Sequence, residues 1–217
     1  MVNFKNYPEV LGDGSVRLAR AIEKVAGAVD VEAIAAPPAP MISLVASKTR
    51  VQVYSQSVGS AVGDKTTGAI LPEAVRAAGA TGTILNHSES RRTPAELKEL
   101  IPRLASAGLE VCLCAQTSDE AAELSLLGTK YLAIEPPELI GSGVAVSRAK
   151  PDLIQKTVSA ARNSGFRGRI LCGAGIVSGE DVSKAVQLGA DGVLVASSVV
   201  KSNDWESKVR ELANSLK

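Results

Sequence analysis

The sequence predicts an α/β protein folded as a single (βα)8 barrel. Eight short apolar segments alternate with helical patterns along the 217 residues. These segments lack a regular apolar–polar alternation, which is typical of parallel strands covered on both faces. A doubly wound open sheet is the alternative, but eight regular repeats within the length of one domain favour a closed barrel. Because no linker or composition shift divides the chain, we expect residues 1–217 to form one barrel domain.

Each predicted strand is a short run of mostly apolar residues between turn signals. In chain order the strands are VNF (2–4), EAIAA (32–36), VQVYS (51–55), GTILN (82–86), EVCLCA (110–115), YLAI (131–134), RILC (169–172) and GVLVA (192–196). Between them, apolar residues recur with helical spacing. The clearest stripes are Val16, Ala19, Ile22, Ala26 and Val29; Leu97, Leu100, Ile101 and Leu104; and Trp205, Val209, Leu212 and Leu216.

Local signals mark two helix starts and one interruption. Thr93 and Glu96 match a capping box, with a proline at the first helical position between them. Ser178 together with Asp181 predicts a second helix start. Pro102 falls inside a helical stripe, so we expect that helix to kink or to end early.

Composition excludes several classes of function. The net charge is +1, no basic run is present and only 3% of residues are aromatic, so we expect no nucleic-acid partner. No window approaches 18 consecutive apolar residues, and MVNFKNYPEV lacks a signal-peptide core, so we expect a cytoplasmic protein with no membrane partner. The cysteines at 112, 114 and 172 lie in apolar runs without a CxxC motif, which favours buried reduced thiols over metal or disulfide use.

Reactive side chains follow several of the predicted strands. Lys5 comes after strand 1, His87 after strand 4 and Glu135 after strand 6. Small-residue turns follow strand 7 (173–175, GAG) and strand 8 (196–198, ASS). In a (βα)8 barrel the carboxyl ends of all strands surround one mouth, where active sites lie. The strand order therefore predicts that these groups converge.

Each of the three side chains has an ordinary structural alternative. His87 is the only histidine, and a lone histidine is often a structural hydrogen-bonder; it also cannot build a multi-histidine metal site. Lys5 could be a solvated charge near the N-terminus. Glu135 is harder to dismiss, because the chain places Ala36 before the Pro-Pro pair that follows strand 2, which shows that Pro-Pro alone is a turn device.

The turns around the mouth have properties of their own. Pro136 keeps Glu135 extended, and the glycines at 141 and 143 permit hinge motion, so residues 136–143 have the size of a lid, with a rigid connection as the alternative. Small residues in the GAG and ASS turns let backbone N–H groups approach an anion. Together the turns suggest a phosphate site after strands 7 and 8.

Five segments resemble the triosephosphate isomerase family, in its shorter archaeal-type form. They are NFK (3–5), NHSES (86–90), EPPELIGSG (135–143), CGAGI (172–176) and VLVAS (193–197). The resemblance runs the length of the chain and implies a TIM barrel that interconverts dihydroxyacetone phosphate and D-glyceraldehyde 3-phosphate, in glycolysis and gluconeogenesis. It implies no cofactor and no metal.

The resemblance also assigns roles to individual residues. Glu135 would be the base that moves a proton between two carbons through an enediolate, and neutral His87 would polarise the carbonyl oxygen. Lys5 and Asn3 would add charge and a donor at that oxygen. The supporting residues would be Ser88, which holds the carboxylate when the lid is open, and Glu89, which pairs with Lys5. Ile140, one of the substrate-binding residues, would cover the base when the lid shuts. Backbone N–H groups would bind the phosphate at Gly141, Gly175, Ala196 and Ser197.

Assembly is the last expectation from the resemblance. Residues 57–68 (SVGSAVGDKTTG) are similar to the family's loop that inserts into a neighbouring subunit, with Thr67-Gly68 at its tip. This predicts a homo-oligomer, either a dimer or a tetramer. Ala196-Ser197 replaces the Gly-Gly pair of many members, but both residues keep their N–H groups.

Three alternative functions stay open at this point. A lyase could use Lys5 as a Schiff-base nucleophile. A non-catalytic barrel could bind a phosphate ligand and keep Glu135 as a relic. A mainly structural oligomer would leave the joint presence of Glu135, His87 and Lys5 unexplained.

Overall fold

The computed structural model describes residues 1–63, 65–136 and 145–217. Its eight parallel strands lie in sequence order around one sheet. They are β1 Val2–Asn3, β2 Ile34–Ala36, β3 Gln52–Ser55, β4 Gly82–Leu85, β5 Glu110–Ala115, β6 Tyr131–Ile134, β7 Arg169–Cys172 and β8 Gly192–Val193. Every predicted strand segment contains one of them.

The sheet closes on itself between β8 and β1. The backbone N–H of Asn3 donates to Val195 O at 2.8 Å, and that of Val195 donates to Met1 O at 3.0 Å. Strand β8 was predicted to run from 192 to 196 and ends earlier, but Leu194 N still donates to Cys172 O at 3.0 Å. Hydrogen bonding thus continues past the regular ladder, and the (βα)8 barrel is confirmed over the open sheet.

Helices connect the strands on the outside of the barrel. The helices are α1 Asp13–Val29, α2 Ile42–Lys48, α3 Pro72–Ala77, α4 Pro94–Ser106, α5 Ser118–Ser125, α6 Val146–Ala149, α7 Pro151–Asn163, α8 Gly179–Gln187, α9 Ser197–Val200 and α10 Trp205–Asn214. Two short 3-10 helices cover Pro8–Val10 and Ala39–Met41. Within the described ranges, no helix combines the length and apolarity needed to cross a membrane.

The capping signals are confirmed, and the early helix end expected at Pro102 is wrong. Glu96 N donates to the Thr93 hydroxyl and Thr93 N donates to the Glu96 carboxylate, which completes the capping box of α4. Ser178 and Asp181 form the same arrangement at α8. Helix α4 does not end at Pro102 but continues to Ser106. Pro102 lies on the exposed side of α4, while buried leucines on the other side hold the helix against the barrel.

Strand residues divide into two buried clusters by alternation. One cluster joins strand residues to the inner faces of helices such as α1, α4 and α8. The other contains alternate strand positions that fill the barrel interior: Ile34, Ala36, Tyr54, Ile84, Cys112, Cys114, Tyr131, Ala133, Leu171 and Leu194. All three cysteines are buried and free, as predicted. The packed interior leaves function to the rim of the barrel.

Candidate active site

The reactive side chains converge at the carboxyl ends of the strands. Glu135 follows β6 and continues its ladder, because Glu135 N donates to Ala115 O at 2.8 Å. His87 lies two residues past β4, and Lys5 two residues past β1. These three side chains line one pocket together with Asn3 at the end of β1. Parallel strands bring their ends to one rim, so residues 132 positions apart in sequence meet there.

Glu135 is a buried carboxylate in contact with His87. Glu135 Oε1 lies 3.4 Å from His87 Nε2, and the two side chains are only 6% and 8% exposed. Glu135 Oε2 has no hydrogen-bond partner among the described residues. Burial raises the pKa of Glu135, an effect that His87, the Cys114 thiol and Lys5 only partly offset. A carboxylate with a raised pKa is a stronger base, which suits proton abstraction near neutral pH.

The backbone selects one tautomer of the His87 ring. Glu89 N donates to His87 Nδ1 at 3.1 Å, so Nδ1 acts as an acceptor. In a neutral imidazole the proton then resides on Nε2, the nitrogen that faces Glu135. An Nε2–H group at the pocket wall can donate to a substrate oxygen.

Lys5 is held in place by its neighbours. Its ammonium group lies 2.7 Å from Glu89 Oε1, and its backbone N–H donates to Asn3 Oδ1 at 2.9 Å. Gln56 Nε2 donates to Lys5 O at 2.9 Å. These contacts fix a backbone with φ at 47°, a conformation that non-glycine residues rarely adopt. The side chain therefore presents a charge of fixed position at the pocket.

Backbone strain concentrates at the same rim. Four non-glycine residues have positive φ within the described ranges, and three of them follow strand ends: Lys5 at 47°, Asn86 at 63° and Ala174 at 67°. Such conformations persist only where the surroundings enforce them, and they cluster at functional sites. The strain is thus a second, independent sign that this end of the barrel carries the function.

The small-residue turns form a further part of the pocket wall. Gly175 after β7 has φ at 71°, and Ala196 stands at the start of α9. Gly175, Ala196 and Ser197 all line the pocket that holds Glu135 and His87. Short side chains let backbone N–H groups approach an anion, so this wall is suited to a phosphate group.

Not every residue named from the sequence lies in this pocket. Glu89 lines an adjoining groove that also includes Asn3, Lys5 and His87. Ser88 does not bond to Glu135 Oε2, which has no hydrogen-bond partner within the described ranges, and Glu135 Oε1 lies 3.4 Å from His87 Nε2. Ile140, Gly141 and most of the predicted lid at 136–143 lie outside the described residues.

Two residues of the site were not predicted from the sequence, Tyr7 and Cys114. Tyr7 lines the pocket, as does Ser198 of the predicted ASS turn. Cys114 contributes a thiol that lowers the pKa of Glu135 against the effect of burial. Alternation along β5 was the available signal for Cys114, since it predicts that this residue points into the barrel beside β6.

Within the described part of the chain, no three His, Cys, Asp or Glu side chains come together as a metal site requires. The reactive groups of the pocket are instead one carboxylate, one imidazole and one ammonium group. A barrel with these groups and an anion-binding wall defines a (βα)8-barrel enzyme that transfers protons on a small anionic substrate.

Comparison with known proteins narrows that class to one family. The model of the family described as triosephosphate isomerase matches residues 1–212. The triosephosphate isomerase of Caldivirga maquilingensis is 41% identical over 216 residues, covering 100% of this chain and 96% of that protein. Those of Methanoculleus marisnigri and Methanocaldococcus jannaschii are 42% and 37% identical, over 100% and 98% of this chain and 97% of each relative. The chain belongs to the triosephosphate isomerase family.

Proposed function

We propose that the protein, an isomerase by family, interconverts dihydroxyacetone phosphate and D-glyceraldehyde 3-phosphate, with residues 1–217 forming one catalytic domain. The observation that carries the proposal is the buried pair of Glu135 and His87 at the carboxyl ends of the strands. This pair places a base and a hydrogen-bond donor on the same pocket, beside a wall suited to phosphate.

Glu135 is the group that moves the proton. Its carboxylate removes a proton from the carbon next to the substrate carbonyl, and the electron pair moves onto the carbonyl oxygen to form an enediolate. The same carboxyl returns the proton to the neighbouring carbon. The hydroxyl proton moves at the same time from the oxygen that becomes the new carbonyl to the enediolate oxygen, which becomes the new hydroxyl. Burial supports this role, because the raised pKa of Glu135 makes its carboxylate a better base.

His87 and Lys5 stabilise the oxygen on which charge develops. The neutral His87 ring donates from Nε2, since its Nδ1 already accepts a hydrogen bond from Glu89 N. Lys5 supplies a positive charge, and the Asn3 amide supplies a further donor close to it. Fixed donors in a site from which water is excluded stabilise a developing oxyanion more than solvent does.

The magnitudes show why several groups are needed. A positioned general base contributes about 10²–10⁴-fold, equivalent to ~3–5 kcal/mol of barrier. Enzymes lower barriers by roughly 8–23 kcal/mol. Oxyanion donors add about 3–4 kcal/mol each, and binding of the non-reacting phosphate supplies more. In the proposal, backbone N–H groups of Gly175, Ala196 and Ser197 bind that phosphate.

The lyase alternative is less well supported by the geometry of Lys5. A Schiff-base lysine must be uncharged to attack a carbonyl. The Lys5 side chain instead forms an ion pair with the Glu89 carboxylate at 2.7 Å, so its nitrogen is already engaged. Treatment with borohydride in the presence of dihydroxyacetone phosphate should therefore leave the mass of the protein unchanged.

The test of the proposal is isomerisation of D-glyceraldehyde 3-phosphate without added metal or cofactor. The wild-type protein should turn over, and Glu135→Gln should lower kcat by about 10²–10⁴-fold, because the amide cannot accept the proton. Glu99→Gln, which changes an exposed carboxylate on α4, is the control and should keep full activity. If wild type and Glu135→Gln both bind phosphate but neither turns over, a non-catalytic binding barrel replaces the proposal.

We further propose that the protein is a cytoplasmic homo-oligomer with Thr67-Gly68 at the interface. Thr67 and Gly68 are exposed in the described part of this loop. Two exposed apolar side chains flank them, Val62 at 78% and Ile70 at 40%. Apolar groups exposed near one loop tip favour its insertion into a partner subunit. The proposed substrates, two triose phosphates of glycolysis, support the cytoplasmic location.

A further inference from the structure

Few buried polar atoms lack a partner in the part of the chain that the structure describes, and some of them belong to residues of the pocket. Within the described ranges, four buried side-chain atoms lack a hydrogen-bond partner: Arg92 Nε, Glu135 Oε2, Thr157 Oγ1 and Ser198 Oγ. Two of the four belong to residues that line the same pocket, Glu135 and Ser198. Such groups destabilise a folded protein and call for an explanation.

Glu135 Oε2 is explained by the proposed reaction, since a base must keep a lone pair for the substrate. Ser198 has no role in that mechanism. It is the second residue of α9, next to Ser197, and lies on the pocket wall with Gly175 and Ala196. A hydroxyl can turn about χ1, so an atom at this wall can reach a ligand that binds against the backbone of the same turn.

We propose that Ser198 Oγ donates a hydrogen bond to the phosphate group of the bound substrate. The inference rests on the proposed function, because it assumes that the wall of Gly175, Ala196 and Ser197 holds a phosphate. A phosphate oxygen carries charge and only accepts hydrogen bonds, which makes it the complement of a hydroxyl without a partner. Ser198 thus adds a side-chain donor to the backbone donors of this wall.

The inference predicts that Ser198 Oγ has opposite effects on the stability of the free protein and on phosphate binding. Without ligand, the buried hydroxyl lowers the free energy of unfolding, because on folding it loses its hydrogen bonds to water and gains none in the protein. With phosphate bound, the same hydroxyl is satisfied. Removing it should therefore stabilise the free protein and weaken the complex.

Ser198→Ala tests this prediction against wild type. The inhibition constant for inorganic phosphate should rise about tenfold, the expected loss for a hydrogen bond to a charged group, with a similar fall in kcat/KM. The Tm of the ligand-free protein should rise. Ser198→Thr, which keeps a hydroxyl, should retain most of the phosphate affinity. If Ser198→Ala does not fold, Ser198→Gly removes the same hydroxyl.

Thr157→Val is the matched control. Among the described residues, Thr157 carries the other buried hydroxyl without a partner, but it lies on α7 and does not line the pocket. This variant should raise Tm and leave phosphate inhibition unchanged. The inference is wrong if Ser198→Ala behaves like Thr157→Val. An inactive wild type that still binds phosphate through Ser198 would refute the proposed reaction and leave this inference standing.

Discussion

At the scale of single residues, Glu135 combines two properties that oppose each other. A base must be ionised to accept a proton, yet the side chain is only 6% exposed. Burial raises the pKa of Glu135 because the charged form loses its hydration. His87 and Lys5 restore part of the lost stabilisation, so the carboxylate remains usable while it gains basicity. The folded protein bears a free-energy cost for this arrangement.

That cost should be visible as a pH-dependent gain in stability for Glu135→Gln. The folded pKa of Glu135 lies above its unfolded value of about 4.3, so ionisation disfavours the folded state. Below the unfolded pKa both proteins carry a neutral group and should have similar free energies of unfolding. As pH rises through the folded pKa, wild type should lose stability relative to the variant, and the difference should then level off.

Urea unfolding of both proteins between pH 4 and pH 8 measures this difference. Glu99→Gln, at an exposed carboxylate, should show no such trend. A difference between Glu135→Gln and wild type that does not change with pH would contradict the raised pKa.

At the scale of elements, Asp181 joins three parts of the chain. Its Oδ2 accepts from Val177 N and Ser178 N, at 3.0 and 2.9 Å, which fixes the turn from β7 into α8. Its Oδ1 lies 2.5 Å from Arg148 Nε, so α6 is tied to the same point. Asp181 O also accepts from Ser147 at 3.1 Å. One buried carboxylate thereby positions the flank of the pocket wall that contains Gly175.

Asp181→Asn should destabilise the protein by about 1–3 kcal/mol at pH 7, because the amide leaves buried N–H groups poorly paired. Burial by itself raises the pKa of Asp181, but the N–H groups of Val177 and Ser178 and the Arg148 guanidinium outweigh it and lower the pKa overall. The stabilisation is therefore present above the unfolded value of about 3.9 and is lost as pH falls through the folded pKa.

Glu180→Gln provides the comparison for Asp181→Asn. Glu180 pairs with the same arginine at 2.9 Å, but its side chain is 81% exposed. An exposed pair contributes little, so this variant should lie within about 0.5 kcal/mol of wild type. Chemical denaturation of the two variants measures both free energies of unfolding. Equal losses of stability would show that the burial of Asp181 is not the reason for the destabilisation in Asp181→Asn.

Elements were predictable where one local pattern dominates. The eight strands and the capping boxes at Thr93 and Ser178 follow from apolar runs and N-cap chemistry, and the structure has them. The early end expected at Pro102 was wrong, since the packing of α4 against the barrel outweighs the lost backbone hydrogen bond. The sequence pattern also did not predict where β8 ends, because the end of a strand depends on its pairing with the neighbouring strand rather than on propensity.

At the scale of the whole molecule, barrel closure explains why part of the site could be predicted. Once β1 bonds to the segment after β8, every strand ends at one rim, so Lys5, His87 and Glu135 must come together. Side-chain rotamers do not follow from strand order. The contact of Glu135 with His87 and the hydroxyl of Ser198 without a partner both depend on packing, which a sequence pattern does not specify.

Assembly is the remaining property at this scale, and the 57–68 loop makes it testable. In the proposal, Thr67 inserts into a partner subunit, so Thr67→Glu would bury a charge at the interface and weaken association. Sedimentation across a dilution series should show a dimer or a tetramer for wild type, and its mass tells which.

Thr67→Glu should dissociate at protein concentrations where wild type does not. Arg20→Glu, at an exposed position on α1, is the control and should leave the assembly intact. A wild-type monomer at micromolar concentration would refute the oligomer. Unchanged assembly in Thr67→Glu would place the interface elsewhere, because a buried charge without a partner cannot be neutral in energy.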